Sequence, residues 1–489
     1  MIEEHRESRR TSTEFQFSKF KLSARPRLVR TRLRCPHCSF SSDAALGHAP
    51  ATMTTSRRWL YASHAMAQIS DAAWQFAVAL VLLQDQNLRA VASYGATVAV
   101  AVWIGVPWMG RLADKAEDRW RLLRRWIGLG NGAVVLGTGL LLLWLRHPSH
   151  PAILAALLLV GALGEVWNQA KMLAVERDWI VLLAEDDVQW LSTTNVALKQ
   201  LDLAAKILGP VLSGVLLGYS LSVGCVVVGT LNLLSLLWEY MCMQQLWNLS
   251  DALRIPRSPP SGARDPLSCS LDVYYQQPTC WVGVGLALLY LNALTLNNGL
   301  ITGYLLYRQL SLEHVGLLRG GSSLLGLLGT VVYHLVVGRL GCSLPKAAMG
   351  SILFQFSCLA VGAAAFWHDT DWSLVVWLIG ICGSRIGLWV YDISVTQLQQ
   401  LCVPDGARAT VGGIQQSMNS FFYLLVFIMG MVFSDPSEFD IFMGTAVSTV
   451  GLAAICCAYG VATQGLEDRG ELVPQEETDE HIPTEVEIT

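Results

Sequence analysis

A single carboxylate stands out in the first apolar stretch of the chain. Asp71 lies in the middle of residues Trp59 to Leu83, a stretch long enough to cross a bilayer. A charged side chain at that depth is costly, and membrane helices keep one where it binds an ion or where it pairs with another helix. Asp71 therefore indicates the ion site of a transporter, with a static structural pair as the alternative.

Three polar side chains share one face of a later apolar helix. Asn232, Ser235 and Glu239 are spaced i, i+3 and i+7. If this face lies opposite Asp71, two carboxylates, an amide oxygen and a hydroxyl converge, and this set suits a divalent cation that prefers oxygen ligands. Gln75, one turn from Asp71, offers another oxygen. The alternative is ordinary hydrogen bonding between membrane helices.

A second group of charged residues falls at the ends of predicted helices on one side of the membrane. Its members are Asp114, Arg177, Asp178, Lys199, Asp202, Arg385, Asp392 and Arg408. Opposite charges that meet when two halves of a transporter close can stabilise an outward-facing state, and they separate when it opens. The alternative is loop charge with surface pairs worth ~1 kcal/mol or less.

Catalytic functions find no support in the sequence. The chain has no Gly-rich phosphate loop of the P-loop type, which argues against ATP-driven pumping. His64, His314, His334 and His368 are dispersed, without an HExxH motif, and we interpret each as a local hydrogen-bonding residue. We therefore predict that the protein is not an enzyme and has no cofactor.

Composition identifies the elements that must position these residues. Of 489 residues, 53% are hydrophobic and 15% charged, and the mean hydropathy is +0.42, as in integral membrane proteins. Apolar runs of about spanning length occur at Trp59 to Leu83, Val91 to Met109, Trp126 to Leu145, Ala152 to Ala174, Thr193 to Gly218 and Leu221 to Trp247. Six more occur at Thr279 to Leu305, His314 to Val337, Ala347 to Trp367, Trp372 to Leu401, Val411 to Phe433 and Ile441 to Ala462. The chain is therefore predicted to be an all-α multi-pass membrane protein of twelve transmembrane helices in two six-helix lobes.

Loop charge predicts the orientation. The second connection carries Arg111, Lys115, Arg119, Arg121, Arg124 and Arg125, which places even-numbered loops and both termini in the cytoplasm. The predicted parts are a polar extension (1–56), an amino-terminal lobe (57–247), a Pro-rich linker (248–278), a carboxyl-terminal lobe (279–463) and an acidic tail (464–489). We expect residence in the plasma membrane, with an organelle membrane as the alternative.

Several stretches in the same order resemble the ferroportin family of cellular iron exporters. They include LYASHAMAQISDAAWQFAVAL, ERDWIVLLAEDD, NLLSLLWEY, YYQQP, RIGLWVYDISVTQLQQ and VGGIQQSMN. The resemblance implies a fold similar to the major facilitator superfamily and export of Fe(II), with counter-movement of protons.

The resemblance also assigns residues in the amino-terminal lobe. Asp71 falls on the family's metal-binding aspartate, and Gln75 replaces the histidine beside it in vertebrate members. Asn232, Ser235 and Glu239 match residues of a calcium site. Gly110 to Asp114 resembles the G-x-L-a-D-r pattern of the major facilitator superfamily. The residues that fit the family's cytoplasmic gate are Asp114, Arg177, Asp178, Asn195, Asp202 and Arg408.

The carboxyl-terminal lobe departs from the resemblance. Gly299 stands where vertebrate ferroportins have a cysteine that binds metal and the hormone hepcidin, and Val426 stands at the partner histidine. Neither side chain can bind metal, so a hepcidin-type peptide is not an expected partner. The expected partners are Fe(II) and membrane lipid, and no nucleic acid is implied.

The sequence thus favours an exporter of ferrous iron that works by alternating access and is coupled to protons. A transporter of another divalent metal or of an organic cation is the alternative. A third class is a membrane protein that does not transport and keeps only a calcium site.

Overall fold

All regular structure in the described part of the chain is helical. The computed structural model describes residues 51–83, 88–148, 150–255, 268–296, 299–368, 372–433, 435–463 and 466. The helices of the first half are α1 (Ala51–Leu83), α2 (Leu88–Lys115), α3 (Arg119–Arg146), α4 (Pro151–Ala174), α5 (Ile180–Ala184), α6 (Val188–Tyr219), α7 (Leu221–Leu249) and α8 (Asp251–Arg254). Those of the second half are α9 (Ser268–Tyr275), α10 (Cys280–Leu288), α11 (Gly299–Tyr307), α12 (Leu312–Tyr333), α13 (Leu344–His368), α14 (Ser373–Cys402), α15 (Arg408–Val432) and α16 (Phe439–Thr463).

Ten helical stretches within the described residues are long and apolar enough to cross a membrane, and the prediction of an all-helical, multi-pass membrane protein is confirmed. The other two predicted spans differ from simple helices. The seventh is interrupted, because α10 runs into a 3₁₀ turn at Leu289–Leu291 and residues 292–296, which are not helical, follow. The eleventh, α15, has 25 residues, and its first half carries the amide groups of Gln415, Gln416 and Asn419.

The fourth span contains a π-helical turn. Residues Val175–Trp179 form this turn between α4 and α5, so the span continues from Pro151 to Ala184. A π turn adds one residue to a helical turn and often occurs at functional sites. It shifts the register so that Glu176, Arg177 and Asp178 lie at the end of the span where the two halves of the chain meet.

The closest approach between the halves is the crossing of α2 and α15. A Cβ atom on Gly110 would lie 2.3 Å from the carbonyl oxygen of Ala409. Only glycine permits this separation of the two backbones. The crossing brings the cytoplasmic end of α2, as predicted from loop charge, against the first turn of α15.

Most of the terminal extension, residues 256–267 of the linker and most of the acidic tail lie outside the described residues. Within the segment interpreted as linker, α8 and α9 are helical. Tyr274 of α9 is 1% exposed, and its hydroxyl donates to Gln415 Oε1 at 2.8 Å. This end of the segment is therefore packed against α15.

Candidate functional site

A cavity of about 350 Å³ is lined mainly by helices of the first half of the chain, together with Gln416, Ser420, Tyr423 and Phe427 of α15. Asp71 and Gln75 of α1 and Asn232 and Glu239 of α7 are among the residues that line it. The Gln75 amide donates from Nε2 to Asp71 Oδ2 at 2.9 Å, so one oxygen of the carboxylate is held by the residue one turn away. The structure thus brings four of the five predicted metal-site residues to one cavity.

The fifth, Ser235, connects the polar face of α7 to α1. Its hydroxyl donates to Glu239 Oε1 at 2.9 Å and accepts from the Ser70 hydroxyl at 3.0 Å. The Asn232 amide also donates to the Ser70 carbonyl oxygen at 3.3 Å. The face formed by Asn232, Ser235 and Glu239 therefore packs against α1 beside Asp71.

Two further charged residues of this cavity come from α4. Lys171 Nζ lies 2.8 Å from Glu239 Oε2, an ion pair in which both side chains are almost entirely buried. Glu165 Oε1 accepts from Gln169 Nε2 at 2.6 Å. Asp71, Glu165 and Glu239 against Lys171 give the described lining a net charge of −2 when all are ionised.

Sequence reasoning missed Glu165 and Lys171, although the signal was present. Both lie inside the fourth apolar run, six residues apart. The rule that singled out Asp71, a charge within a spanning segment, applies equally to them.

One contact between the predicted cytoplasmic ends of the two halves joins the side chain of Asp114 to the backbone of α15. Asp114 is 3% exposed. Its Oδ1 and Oδ2 accept from the backbone nitrogens of Ala409 and Thr410 at 3.2 and 2.6 Å. A carboxylate at this position satisfies free N–H groups in the first turn of α15 and interacts favourably with the helix dipole.

A second set of contacts joins the π turn and α6 to α14. Arg177 Nη1 donates to the Thr396 carbonyl oxygen at 3.2 Å. The Gln400 amide exchanges hydrogen bonds with Asn195 and donates to the Glu176 carbonyl oxygen at 2.7 Å.

An ion pair adds to these contacts. Lys199 Nζ lies 2.8 Å from Asp392 Oδ2, and the two side chains are 26% and 12% exposed. The ammonium also sits 5.2 Å from the centre of the Trp389 ring. This end of the molecule is closed.

Three predicted gate residues form pairs within their own half. Asp178 Oδ2 accepts from Arg119 Nε at 3.0 Å. Asp202 Oδ1 is 2.6 Å from His64 Nε2. Arg408 donates to the Val403 carbonyl oxygen and lies 3.7 Å from Asp405 in the same turn. Through these contacts, the three residues bind partners in their own half and do not connect it to the other half.

A second cavity, of about 230 Å³ and of different chemistry, is lined mainly by residues of the second half, together with Leu203 and Lys206 of α6. Its lining includes Lys206, Arg385 and Trp389, with the Lys206 ammonium and the Arg385 guanidinium within 6 Å of the Trp389 ring centre. Among the described residues that line it, neither Gly299 nor Val426 appears. Val426 is 1% exposed within the apolar core, and Gly299 begins α11.

Comparison with solved structures shows which fold this chain has. The E. coli fucose:proton symporter FucP, a major facilitator superfamily transporter, superposes with a TM-score of 0.58 at 14% identity over 83% of this chain and 99% of that one. The fold is that of a major facilitator-type membrane transporter.

The chain belongs to the ferroportin family. The family model described as Ferroportin1 (FPN1) matches residues 54–266 and 267–450. Solute carrier family 40 member 1 of Oryza sativa is 30% identical over 419 residues, which cover 78% of this chain and 86% of the relative. A bacterial homologue of the iron transporter ferroportin superposes at 23% identity over 83% of this chain. The TM-score is 0.76 for its outward-facing state, covering 99% of that chain, and 0.59 for its inward-facing state, covering 98%.

Proposed function

We propose that this protein exports divalent metal, with Fe(II) as the first candidate, by alternating access. The observation that carries the proposal is the negatively charged cavity formed by Asp71, Glu165 and Glu239 within membrane-spanning helices. Buried charge of this kind is retained in membranes where an ion or substrate binds. Relatives described as ferroportin, and the bacterial homologue of an iron transporter, support the same substrate class.

The chemistry of the lining favours hard or borderline metals. The described lining residues include carboxylates, amides and hydroxyls, but neither histidine nor cysteine. Oxygen ligands suit Mn(II) and Fe(II) better than the softer Cu(I), and the absence of thiolate and imidazole removes the donors that usually select Zn(II). Manganese is therefore the second metal to test.

The contacts between the halves support an outward-facing state. All of those described above lie near the predicted cytoplasmic ends of α2, α6, α14 and α15. The higher TM-score against the outward-facing bacterial homologue agrees with this assignment. Transport then requires these contacts to separate so that the cavity can load from the cytoplasm.

The carboxylates of the cavity would couple metal transport to the movement of protons. A carboxylate must be deprotonated to bind a metal ion, so metal binding and proton release are linked. Gln75 cannot gain or lose a proton. Asp71 and Glu165 would therefore be the groups of this cavity that release a proton when metal binds.

Bound calcium is proposed on the face formed by Asn232, Ser235 and Glu239. Its oxygen donors suit calcium, and the proposal requires the Lys171 ammonium to leave Glu239.

The test is metal efflux from proteoliposomes loaded with Fe(II), Mn(II), Co(II) or Zn(II). Asp71→Asn should lower efflux of the preferred metal by about 10- to 100-fold, the range found even for residues that only support a metal ligand. Asp251→Asn is the matched control, since its carboxylate is 98% exposed and remote from the cavity. Wild-type efflux by a well-folded Asp71→Asn protein would refute the site, and absence of metal flux in the unmodified protein would refute the function.

A further inference from the structure

A second cluster of metal-type ligands lies between the first cavity and the closed cytoplasmic end. His64 Nε2 and one carboxylate oxygen each from Glu176 and Asp202 lie within 4.8 Å of one another. They come from three separate elements, which are α1, the π turn and α6. None of the three is among the described residues that line the Asp71 cavity.

We infer that His64, Glu176 and Asp202 form an inner binding site for a divalent transition metal. One imidazole and two carboxylates supply a net charge of −2 when the imidazole is neutral, which balances a divalent ion. The mixture of nitrogen and oxygen donors suits Fe(II), Mn(II), Co(II) or Zn(II) better than calcium or magnesium. The inference rests on the proposed function only for the role of the site in transport.

The geometry needs little change to bind an ion. Two ligands at ~2.1 Å from a metal can be at most about 4.2 Å apart. The three ligand atoms all lie within 4.8 Å of one another, so even a pair at that limit would have to approach by only about 0.6 Å. The hydrogen bond between His64 and Asp202, 2.6 Å long, would be replaced by two bonds to metal.

The Glu176 carboxylate is the observation that separates this cluster from a simple hydrogen-bonded pair. No hydrogen bond or ion pair to it occurs within the described residues, although its backbone carbonyl accepts from Gln400. A carboxylate inside a membrane protein is costly without a partner. The Lys199 ammonium is paired with Asp392 and also attracts Glu176 and Asp202 electrostatically, so a metal ion at the cluster must compete with it.

The cluster lies where metal entering from the cytoplasm would pass on its way to the Asp71 cavity. His64 and Asp71 are seven residues apart on α1, so they share a face and stand two turns, about 10 Å, apart. The contacts that close the cytoplasmic end, including that of Gln400 with Glu176, lie directly beside the inner cluster. Metal entering from the cytoplasm would meet an imidazole at His64 before the all-oxygen lining around Asp71.

Cobalt binding by the purified full-length protein tests the site. In an Asp71→Asn background, titration with Co(II) should retain one ion, with visible absorption typical of an imidazole-containing site. Adding Glu176→Gln should raise the Kd for Co(II) by about tenfold or more. This change keeps the shape of a side chain without described partners, so the protein should fold.

His64→Gln is the second variant, because it keeps a hydrogen-bonding group for Asp202 and removes the imidazole. It should weaken Co(II) binding and abolish the imidazole-dependent absorption, whereas His368→Asn, at an exposed position at the end of α13, should change neither.

Unchanged Co(II) affinity and absorption in both Glu176→Gln and His64→Gln would overturn the inner site, even if efflux is normal. Cobalt bound there by a protein that moves no metal would uphold the site and overturn the proposed function.

Discussion

Lys171 sets how strongly Glu239 can hold a cation. Its ammonium lies 2.8 Å from the carboxylate, in a setting where removal of one partner of a buried pair leaves an unpaired charge. A metal ion that binds to Glu239 must compete with this ammonium. The pair therefore acts against calcium binding until Lys171 moves away.

Replacement of Lys171 by methionine should reverse that balance. We expect Lys171→Met to lower the stability of the metal-free protein by about 3 kcal/mol, the cost of an uncompensated buried charge, and calcium should restore it. Thermal unfolding with and without calcium chloride measures both effects. Lys346→Met, at an exposed position in α13, is the control. No gain in calcium response over wild type would exclude Glu239 as a calcium ligand.

At the scale of elements, the crossing of α2 and α15 controls closure. The backbones meet at Gly110 with no room for a side chain, and Asp114 lies one turn further along the same helix. A small residue and a carboxylate in one turn thus fix both the distance and the orientation of α15.

A methyl group at this crossing should open the cytoplasmic end. Gly110→Ala would place an atom against the Ala409 carbonyl, and overpacking of this kind costs about 1–3 kcal/mol. Spin-label distances between the cytoplasmic ends of α2 and α14 should lengthen. Gly128→Ala in α3, where nothing lies within 4 Å, should leave them unchanged. Equal distances in the two variants would contradict the assignment of this crossing as the closing contact.

The ion pair between Lys199 of α6 and Asp392 of α14 should stabilise the closed state by less than the crossing of α2 and α15 does. Lys199→Asp alone should shift the equilibrium toward the cytoplasm-open state by about fivefold or more, since a partly exposed pair is worth ~1 kcal/mol or less and reversal adds repulsion. The double variant Lys199→Asp with Asp392→Lys should recover part of the closure. The same spin-label distances measure how far the cytoplasmic end opens in each variant. Equal opening in the single and double variants would show that the pair does not act in closure.

At the scale of the whole molecule, hydropathy and loop charge were sufficient to predict an all-helical membrane protein. Mean hydropathy did not show the interruption of the seventh span, although Asn292, Asn297 and Asn298 stand among the apolar residues of 279–305. The π turn was equally hidden, since its residues resemble those of an ordinary helix end. The metal-site prediction placed Asp71 and the α7 face at one cavity, but the pairing of Glu239 with Lys171 depends on the packing of α4 against α7.

The gate residues also separate what the sequence could predict from what it could not. Their charge and location could be predicted from the sequence, whereas their partners could not. Asp178 and Asp202 bind Arg119 and His64 of their own half. Spacing along the chain does not reveal which of several nearby charges a side chain will reach once six helices are packed.

The closed end also has a consequence for tolerance to substitution. Asp114 and Arg177 bind backbone atoms of Ala409, Thr410 and Thr396, and backbone groups persist when a side chain changes. A saturation mutagenesis survey scored by metal efflux should therefore find Asp114 and Arg177 intolerant but many residues accepted at Thr396. At Thr410 proline should be the most harmful substitution, because it removes the N–H that Asp114 binds. Positions that contribute only backbone atoms, such as Thr396, could then drift while the gate continued to close. The constraint would fall on Asp114 and Arg177 in the first half and on Gln400 and Asp392 in the second half, whose side chains bind the first half.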